Sequence, residues 1–353
     1  MSWFSRMTLR GRTVLVGSVL TAVLLVVAAA VPIPYVALSP GDTYNTLGSV
    51  EGTQVISFSG DGIPASANED PPAGGELNMT TISLNDDIPL FEALGLWATG
   101  RYALAPREDY FPPDKTTEQV EEQNAQAFRD SQSAAEIASL RYLGYPNVVY
   151  VGTIPDGSPS SGILQPQDQI VDVDGTAVTD FPSLQATLAG SAPGQVVAVT
   201  VQRDGRPVTA KVTLGANPEA GDRGFLGVEA VERPVAPFTT TNSQERIGGP
   251  SAGLMFTLGI IDKLAGTELT GGKMIAGTGT IDPEGKVGPI GGILLKLIAA
   301  RDAGATVFLV PDTNCAEAVT AIPDGLQLVK VATLDEAVDA LETLKAGGTP
   351  AGC

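Results

Sequence analysis

No charged residue occurs between Arg12 and Asp42. Within that gap, residues 14–31 read VLVGSVLTAVLLVVAAAV, 18 residues interrupted only by Gly, Ser and Thr. A run this long and this apolar is the length of a bilayer-spanning helix, because in lipid the backbone must satisfy its own polar groups. Arg6, Arg10 and Arg12 precede it and no Lys or Arg follows closely. The positive-inside rule then predicts a cytoplasmic N-terminus (1–12), a membrane helix (13–34, a signal anchor) and an extracytoplasmic main body. Ala28-Ala29-Ala30 also offers a signal peptidase its small-residue site, so a cleaved export signal is the alternative. The length of the run favours the anchor, and both readings export the rest.

The remaining chain is acidic, with 40 Asp and Glu against 21 Lys and Arg and a net charge of −19. That balance disfavours nucleic acid as a partner, since phosphate binding needs a basic surface. Histidine is absent. Ser-His-Asp and Cys-His catalysis and His-ligated zinc are therefore excluded for the chain on its own. No GxxxxGK[ST] phosphate loop occurs; GTIDPEGKVG has the wrong spacing, so no nucleotide cofactor is expected. The two cysteines, Cys315 and Cys353, are too few for a Cys-rich metal site. In an oxidising compartment they are expected to form a disulfide that pins the C-terminal tail, contributing about 3–4 kcal/mol through loop entropy.

Beyond the anchor, residues 35–145 are read as a small extracytoplasmic α+β region. TQVISFS and ELNMTTISL have strand character, and IPLFEALGLWA has helical spacing that places Trp97 in a core. A long helix runs from about Thr116, with Gln119 at capping-box spacing, and its charges form a solvated face. Residues 146–222 follow as a β-rich unit: NVVYVGTI, then GSPSSGILQPQDQIVDVDGTAV, a short helix FPSLQATLAGS, and a hairpin turning at Asp204-Gly205. This pattern resembles a bacterial PDZ domain, with Gln167 where the family commonly has Gly. The resemblance implies binding of peptides by strand addition, or a role as spacer or lid.

Two stretches of the last unit (223–353) carry chemistry. In GGPSAGLMF, Ser251 follows Gly249 and Pro250 and precedes Ala252 at the head of an apolar helix. Pro250 is read as its first helical residue. Backbone N–H groups and the positive end of the helix dipole converge there and suit an oxyanion. Serines at helix starts are ordinarily caps, so the stretch alone is weak. In KVGPIGGILLKLIAARDAG, Lys296 is the sole charge between Lys286 and Arg301, in a helix apolar on every side. Burial there would strip the amine of its charge and make it a base, whereas snorkelling to the surface would leave it inert.

GPSAG, the glycine-rich MIAGTGTID and GKVGPIGGILLKLIAA, in that order, resemble the proteolytic domain of Lon proteases. The resemblance implies a Ser-Lys dyad in an α/β domain. Ser251 is then the nucleophile, Lys296 the general base 45 residues on, and Thr278 a hydroxyl that orients the amine. Gly248 stands where Lon enzymes commonly carry Asp. The whole layout resembles membrane-anchored PDZ–Lon proteins without an ATPase domain. PREDYFPPD, GGPSAGLMF and the terminal cysteine are similar to actinobacterial members.

The expectation is thus an α+β chain: transmembrane helix, small α+β region, PDZ-like domain and Lon-like domain. Its function is that of an ATP-independent serine endopeptidase at the cell membrane, acting on unfolded or flexible protein segments with no cofactor or metal. Homo-oligomers are implied by family analogy only. A catalytically silent binding scaffold and a Ser-Lys hydrolase of other amides or esters are the competing readings.

Overall fold

The computed structural model describes residues 8–71, 75–218, 221–244 and 247–353. Arg6, Glu245 and Arg246, and part of the loop around residue 73, lie outside them. By contact density the chain forms two compact units. One comprises residues through Phe58, Pro64–Glu136 and Thr240–Cys353; the other comprises Ser59–Ile63 and Ile137–Thr239.

The chain opens with α1, Leu9–Ala30, an apolar helix of 22 residues with none buried and Thr8 as its side-chain N-cap. Its length and composition suit a bilayer span, as the uncharged run predicts. Strand β1 (Tyr35–Asn45) follows, and β2 (Glu76–Asn85) pairs with it antiparallel. Helix α2 (Leu90–Ala98) leads to β3 (Ala103–Pro106), which pairs on the other side of β1. Helix α3 (Thr117–Tyr142) opens with the expected reciprocal cap: Gln119 N–H donates to Thr116 Oγ1, and Thr116 N–H donates to Gln119 Oε1. Trp97 is not in a core. It is 62% exposed, because the inward side of α2 is taken by Ala93 and Leu96.

The second unit is β-rich. Strands β4 (Asn147–Val151), β5 (Gln169–Val173), β6 (Val196–Arg203), β7 (Arg206–Thr213) and β8 (Ala230–Pro234) lie in the order β7-β6-β5-β4-β8. Alternating valines and isoleucines, such as Val149, Val151, Ile170, Val197, Val199 and Val201, fill its core together with Leu184 of α4 (Phe181–Ala189). The β6–β7 hairpin turns at Asp204-Gly205, both with positive φ. Gln167 sits at φ +71, the left-handed region that explains glycine's preference there. Strand β8 corrects the boundary placed between residues 222 and 223. Ala230 to Pro234 pair antiparallel with Val151 to Asn147, so AVERP completes this sheet, while Gly224 and Phe225 pair with Ala216 and Gly215.

The chain then returns to the first unit with α5 (Gly253–Ala265), β9 (Met274–Gly277), α6 (Ile293–Asp302), β10 (Val307–Pro311), α7 (Cys315–Ala318), β11 (Gln327–Val331) and α8 (Leu334–Lys345). The sheet order is β11-β10-β9-β2-β1-β3. Residues 35–145 are therefore not a region of their own. Their strands form half of the sheet whose other half is C-terminal, with β2 running parallel to β9 from Glu76↔Met274 to Met79↔Gly277. Side chains alternate across a strand. Ala276 packs with Ile293 and Leu297 of α6, while a Cβ on Gly277 would meet Met255 Sδ of α5 at 2.6 Å. The two helices thus cover opposite faces. Cys315 and Cys353 are disulfide-bonded, and Lys330 N–H donates to Ala351 O, tying down the tail.

Strand β1 shifts register between Pro40 and Thr43, opposite Thr80 to Ile82. Gly41 makes the close approach possible, since a Cβ there would lie 2.4 Å from Thr81 Oγ1 and 2.8 Å from the Thr81 carbonyl carbon. Gly41→Ala must displace β2 backbone and should cost about 1–3 kcal/mol. Denaturant unfolding of the variant beside wild type measures it; an unchanged midpoint would contradict this packing.

Candidate active site

Helices α5 and α6 lie on opposite faces of the sheet, so Ser251 and Lys296 can meet only beyond a strand end. Strand β9 supplies that end. It stops at Gly277, and the chain passes through Thr278 and Gly279 toward Ser251. Gly279 N–H and the Thr278 hydroxyl both donate to Ser251 O, at 2.9 and 3.0 Å. With its carbonyl engaged there, Ser251 stays outside the helical ladder. The first helical carbonyl is that of Ala252, which accepts from Phe256 N–H at 3.0 Å. Pro250 is accordingly not the first helical residue; α5 begins three residues later, at Gly253.

The serine turn is braced from α3. Gly249, at φ +84, donates its N–H to Asn124 O at 2.9 Å. Pro250 O accepts from Ser131 Oγ at 2.9 Å. Gly253 packs so closely that a Cβ would meet Ser131 Oγ at 2.8 Å. The face of α3 that reads as solvated from its charges thus includes two contacts to the serine loop.

Lys296 is 2% exposed, on α6, where the other residues from Ile293 to Ala300 are apolar. Its Nζ lies 2.7 Å from Ser251 Oγ, 3.0 Å from Thr278 Oγ1 and 3.1 Å from Thr80 O. Thr278 and Thr80 are buried as well. Thr80 follows the last β2–β9 pair, Met79↔Gly277, so its carbonyl lies beyond the parallel ladder and faces the amine. Burial lowers the Lys296 amine from 10.5 to about 7, with no acidic neighbour to restore its charge. Ser251 is only half-buried, so the hydroxyl can be reached while the amine behind it stays dry.

A second buried lysine shows what sets Lys296 apart. Lys263 of α5 is 6% exposed and burial lowers it too. Its Nζ, however, donates to Gln54 Oε1 and Ala67 O at 2.8 and 3.1 Å, and Asp70 and Asp262 favour its charged form. It contacts acceptors and no nucleophile. Among the described residues, no group of three or more Asp, Glu or Cys side chains gathers closely enough to hold a metal ion.

Of the residues singled out from the sequence, the structure brings Ser251, Lys296 and Thr278 into one hydrogen-bonded group and places Gly249, Pro250 and Ala252 in the turn beneath the serine. The carbonyl of Thr80 escaped sequence reasoning, because a main-chain oxygen carries no residue signature. A groove of about 770 Å3 in the second unit was also missed. Phe181, Leu184 and Leu188 of α4 line one wall, and Arg223, Phe225 and Val228 the other.

Residues 246–344 match the family model of the Lon protease (S16) C-terminal proteolytic domain, and residues 119–214 match that of the PDZ domain. The chain carries a PDZ domain and a Lon-type proteolytic domain. Curated relatives include a Lon protease of Lachnoclostridium phytofermentans, 35% identical over 91 residues, which are 25% of this chain and 11% of that protein. Lon protease 2 of Bacillus subtilis is 34% identical over 93 residues, 26% of this chain and 16% of that protein. The chain thus spans between about a tenth and a sixth of the length of these relatives. Among solved structures, the PDZ domain of an SdrC-like protein from Listeria monocytogenes aligns with 24% of this chain and 86% of its own, at 23% identity and TM-score 0.22. The Lon match begins after β2, yet β2 supplies Thr80 O to the lysine of the Lon-type domain.

A lysine held neutral in the fold but charged when unfolded opposes folding. The unfolded state binds the extra proton between pH 7 and 10.5, so this opposition is full below about pH 7 and fades as pH rises toward 10.5. Lys296→Met removes it. The variant should be more stable than wild type at pH 7, with the difference shrinking by up to ~1.4 kcal/mol per pH unit above that. Parallel urea titrations from pH 6 to 10 test this; a pH-independent difference would place the amine elsewhere or leave it charged.

Proposed function

We propose that this chain is an ATP-independent serine endopeptidase that works with a Ser251–Lys296 dyad outside the cytoplasmic membrane. The observation that carries the reading is the 2.7 Å approach of a buried amine, lowered to about 7, to a hydroxyl at the protein surface. Ser251 Oγ attacks the carbonyl carbon of a peptide bond as its proton passes to Lys296 Nζ. The carbonyl oxygen becomes an oxyanion over the head of α5. Pro250 has no N–H and that of Gly249 is given to Asn124 O, which leaves the amides of Ser251 and Ala252 as its donors. Collapse breaks the C–N bond, and the Lys296 ammonium returns a proton to the leaving amine. Water then attacks the Ser251 ester with Lys296 again as base, releasing the acid product and restoring the serine.

The protein substrate has to arrive already unfolded or flexible, since the sequence holds no phosphate-binding loop to drive unfolding. The groove of the PDZ domain, apolar along α4 with Arg223 at its edge, is suited to receive a peptide segment and raise its local concentration. The uncharged stretch of α1 that follows Arg10 and Arg12 within the helix, and the Cys315–Cys353 bridge, both support tethering with the catalytic unit on the oxidising side of the membrane.

Ser251→Ala and Lys296→Met should each lower casein hydrolysis by the detergent-solubilised full chain about 10³-fold or more. Retained unfolding cooperativity would show that the fold survives. Normal cleavage by either variant would remove the dyad. Because the base must be unprotonated, kcat/KM should rise through a midpoint near 7 and level off above it. A flat profile from about pH 5 to 9 would count against a lysine base, and a rate that depends on added ATP would refute the ATP-independent reading.

A further inference from the structure

Helix α2 presents an apolar face that its own unit leaves bare. Leu90, Leu94 and Trp97 recur at i, i+4 and i+7, with Phe91 beside them, and they are 40, 49, 62 and 47% exposed respectively. The opposite side, Ala93 and Leu96, packs with Ala37, Ile88 and Ile33. Glu92 is the only charged residue in α2. A helix covering a water-facing surface shows the reverse pattern, apolar inward and polar outward.

The place of this face says what covers it. Helix α1 ends at Ala30. Pro32 pairs with Pro89, and Ile33 N–H donates to Ile88 O at 3.0 Å. The next residue, Leu90, begins α2. The bare face therefore starts about one strand spacing, ~5 Å, from the end of the apolar helix, and the two helices touch. A bilayer that encloses α1 surrounds this spot with lipid. Trp97, an apolar ring with one N–H, is the side chain type that settles at the headgroup boundary.

We infer that α2 is an interfacial helix whose Leu90, Phe91, Leu94 and Trp97 sit in the lipid leaflet at the C-terminal end of α1. The inference rests on α1 spanning the bilayer and deepens the tethered reading above. With no Lys or Arg on α2, apolar insertion carries the contact rather than attraction to anionic headgroups. Because α2 sits between β2 and β3 in the chain, its seating fixes the catalytic unit against the membrane instead of leaving it to swing on a tether.

The chain has two tryptophans, Trp3 and Trp97, so Trp3→Phe leaves Trp97 as the only indole. The full-length Trp3→Phe protein is reconstituted in phosphatidylcholine vesicles. Its emission should be blue-shifted, lose most of its intensity when lipids brominated near the headgroup end of the acyl chain are used, and resist aqueous iodide at low and high salt. Adding Phe91→Glu and Leu94→Glu should abolish the bromolipid quenching and admit iodide, with casein hydrolysis retained; Leu90→Gln alone should shift both readings the same way if the double variant fails to fold. A separate reporter, Leu20→Trp with Trp3→Phe and Trp97→Phe, should be quenched by lipids brominated deep in the chain. Failure of that reporter would sink the spanning helix and this inference together. A quenched Leu20→Trp beside an iodide-accessible Trp97 would overturn the interfacial helix alone. Protection of Trp97 from both quenchers that vanishes on dilution into more lipid would assign the face to a second copy of the chain, and would overturn it too.

Discussion

A neutral amine has two protons to give and one lone pair to receive with, and the three oxygens around Lys296 Nζ match that inventory. Thr80 O is a carbonyl and can only accept. Thr278 Oγ1 has committed its own proton to Ser251 O, so toward the amine it also accepts. Both N–H bonds are therefore spent on these two, and the lone pair is left for the hydroxyl proton of Ser251, 2.7 Å away. A charged ammonium would have three donors in the same cage and no means of taking a proton. Burial and hydrogen bonding thus act together: burial lowers the amine to about 7, so that it gives up its charge near neutral pH, and the two threonines aim its lone pair.

The rest of the first unit serves to bring these groups to one point. Ser251 lies just ahead of α5 and Lys296 stands on α6, and these two helices cover opposite faces of the sheet. The two side chains meet only because β9 ends at Gly277 and the chain then turns through Thr278 and Gly279 to hold Ser251 O. The same end of the sheet leaves Thr80 O beyond the β2–β9 ladder. Strand β2 in turn is set by its bulged pairing with β1, where Gly41 lets the backbones approach. From α3, Asn124 and Ser131 brace the other side of the serine turn. The site depends on segments from residue 41 to residue 296, although the hydrogen-bonded group itself comprises three side chains and one carbonyl.

Much of this was legible because the informative residues were isolated in their surroundings. Lys296 stood out as a lone charge in an apolar helix, and Ser251 and Thr278 sat in glycine-rich turns where a side chain must have a reason to be present. The hairpin at Asp204-Gly205 and the Thr116–Gln119 cap followed from local turn and capping chemistry. What stayed hidden was non-local. Nothing in ELNMTTISL says that it lies parallel to MIAG almost 200 residues later, and GFLGVEAVERPV is equally strand-like whichever sheet it joins. Trp97 was misplaced for a different reason. Periodicity shows that a helix has an apolar face, but α2 has apolar residues on more than one side, and only the structure shows which side the protein fills.

The protonation state of Lys296 can be read directly. With lysine side chains labelled with 13C at Cε, the Lys296 resonance, assigned by its loss in Lys296→Met, can be followed by NMR across pH in the wild-type protein. A midpoint near 7 is the result that a buried, neutral, hydrogen-bonded amine requires. A midpoint at the ordinary lysine value of about 10.4 would mean a charged group at neutral pH, and a Ser251 without its base.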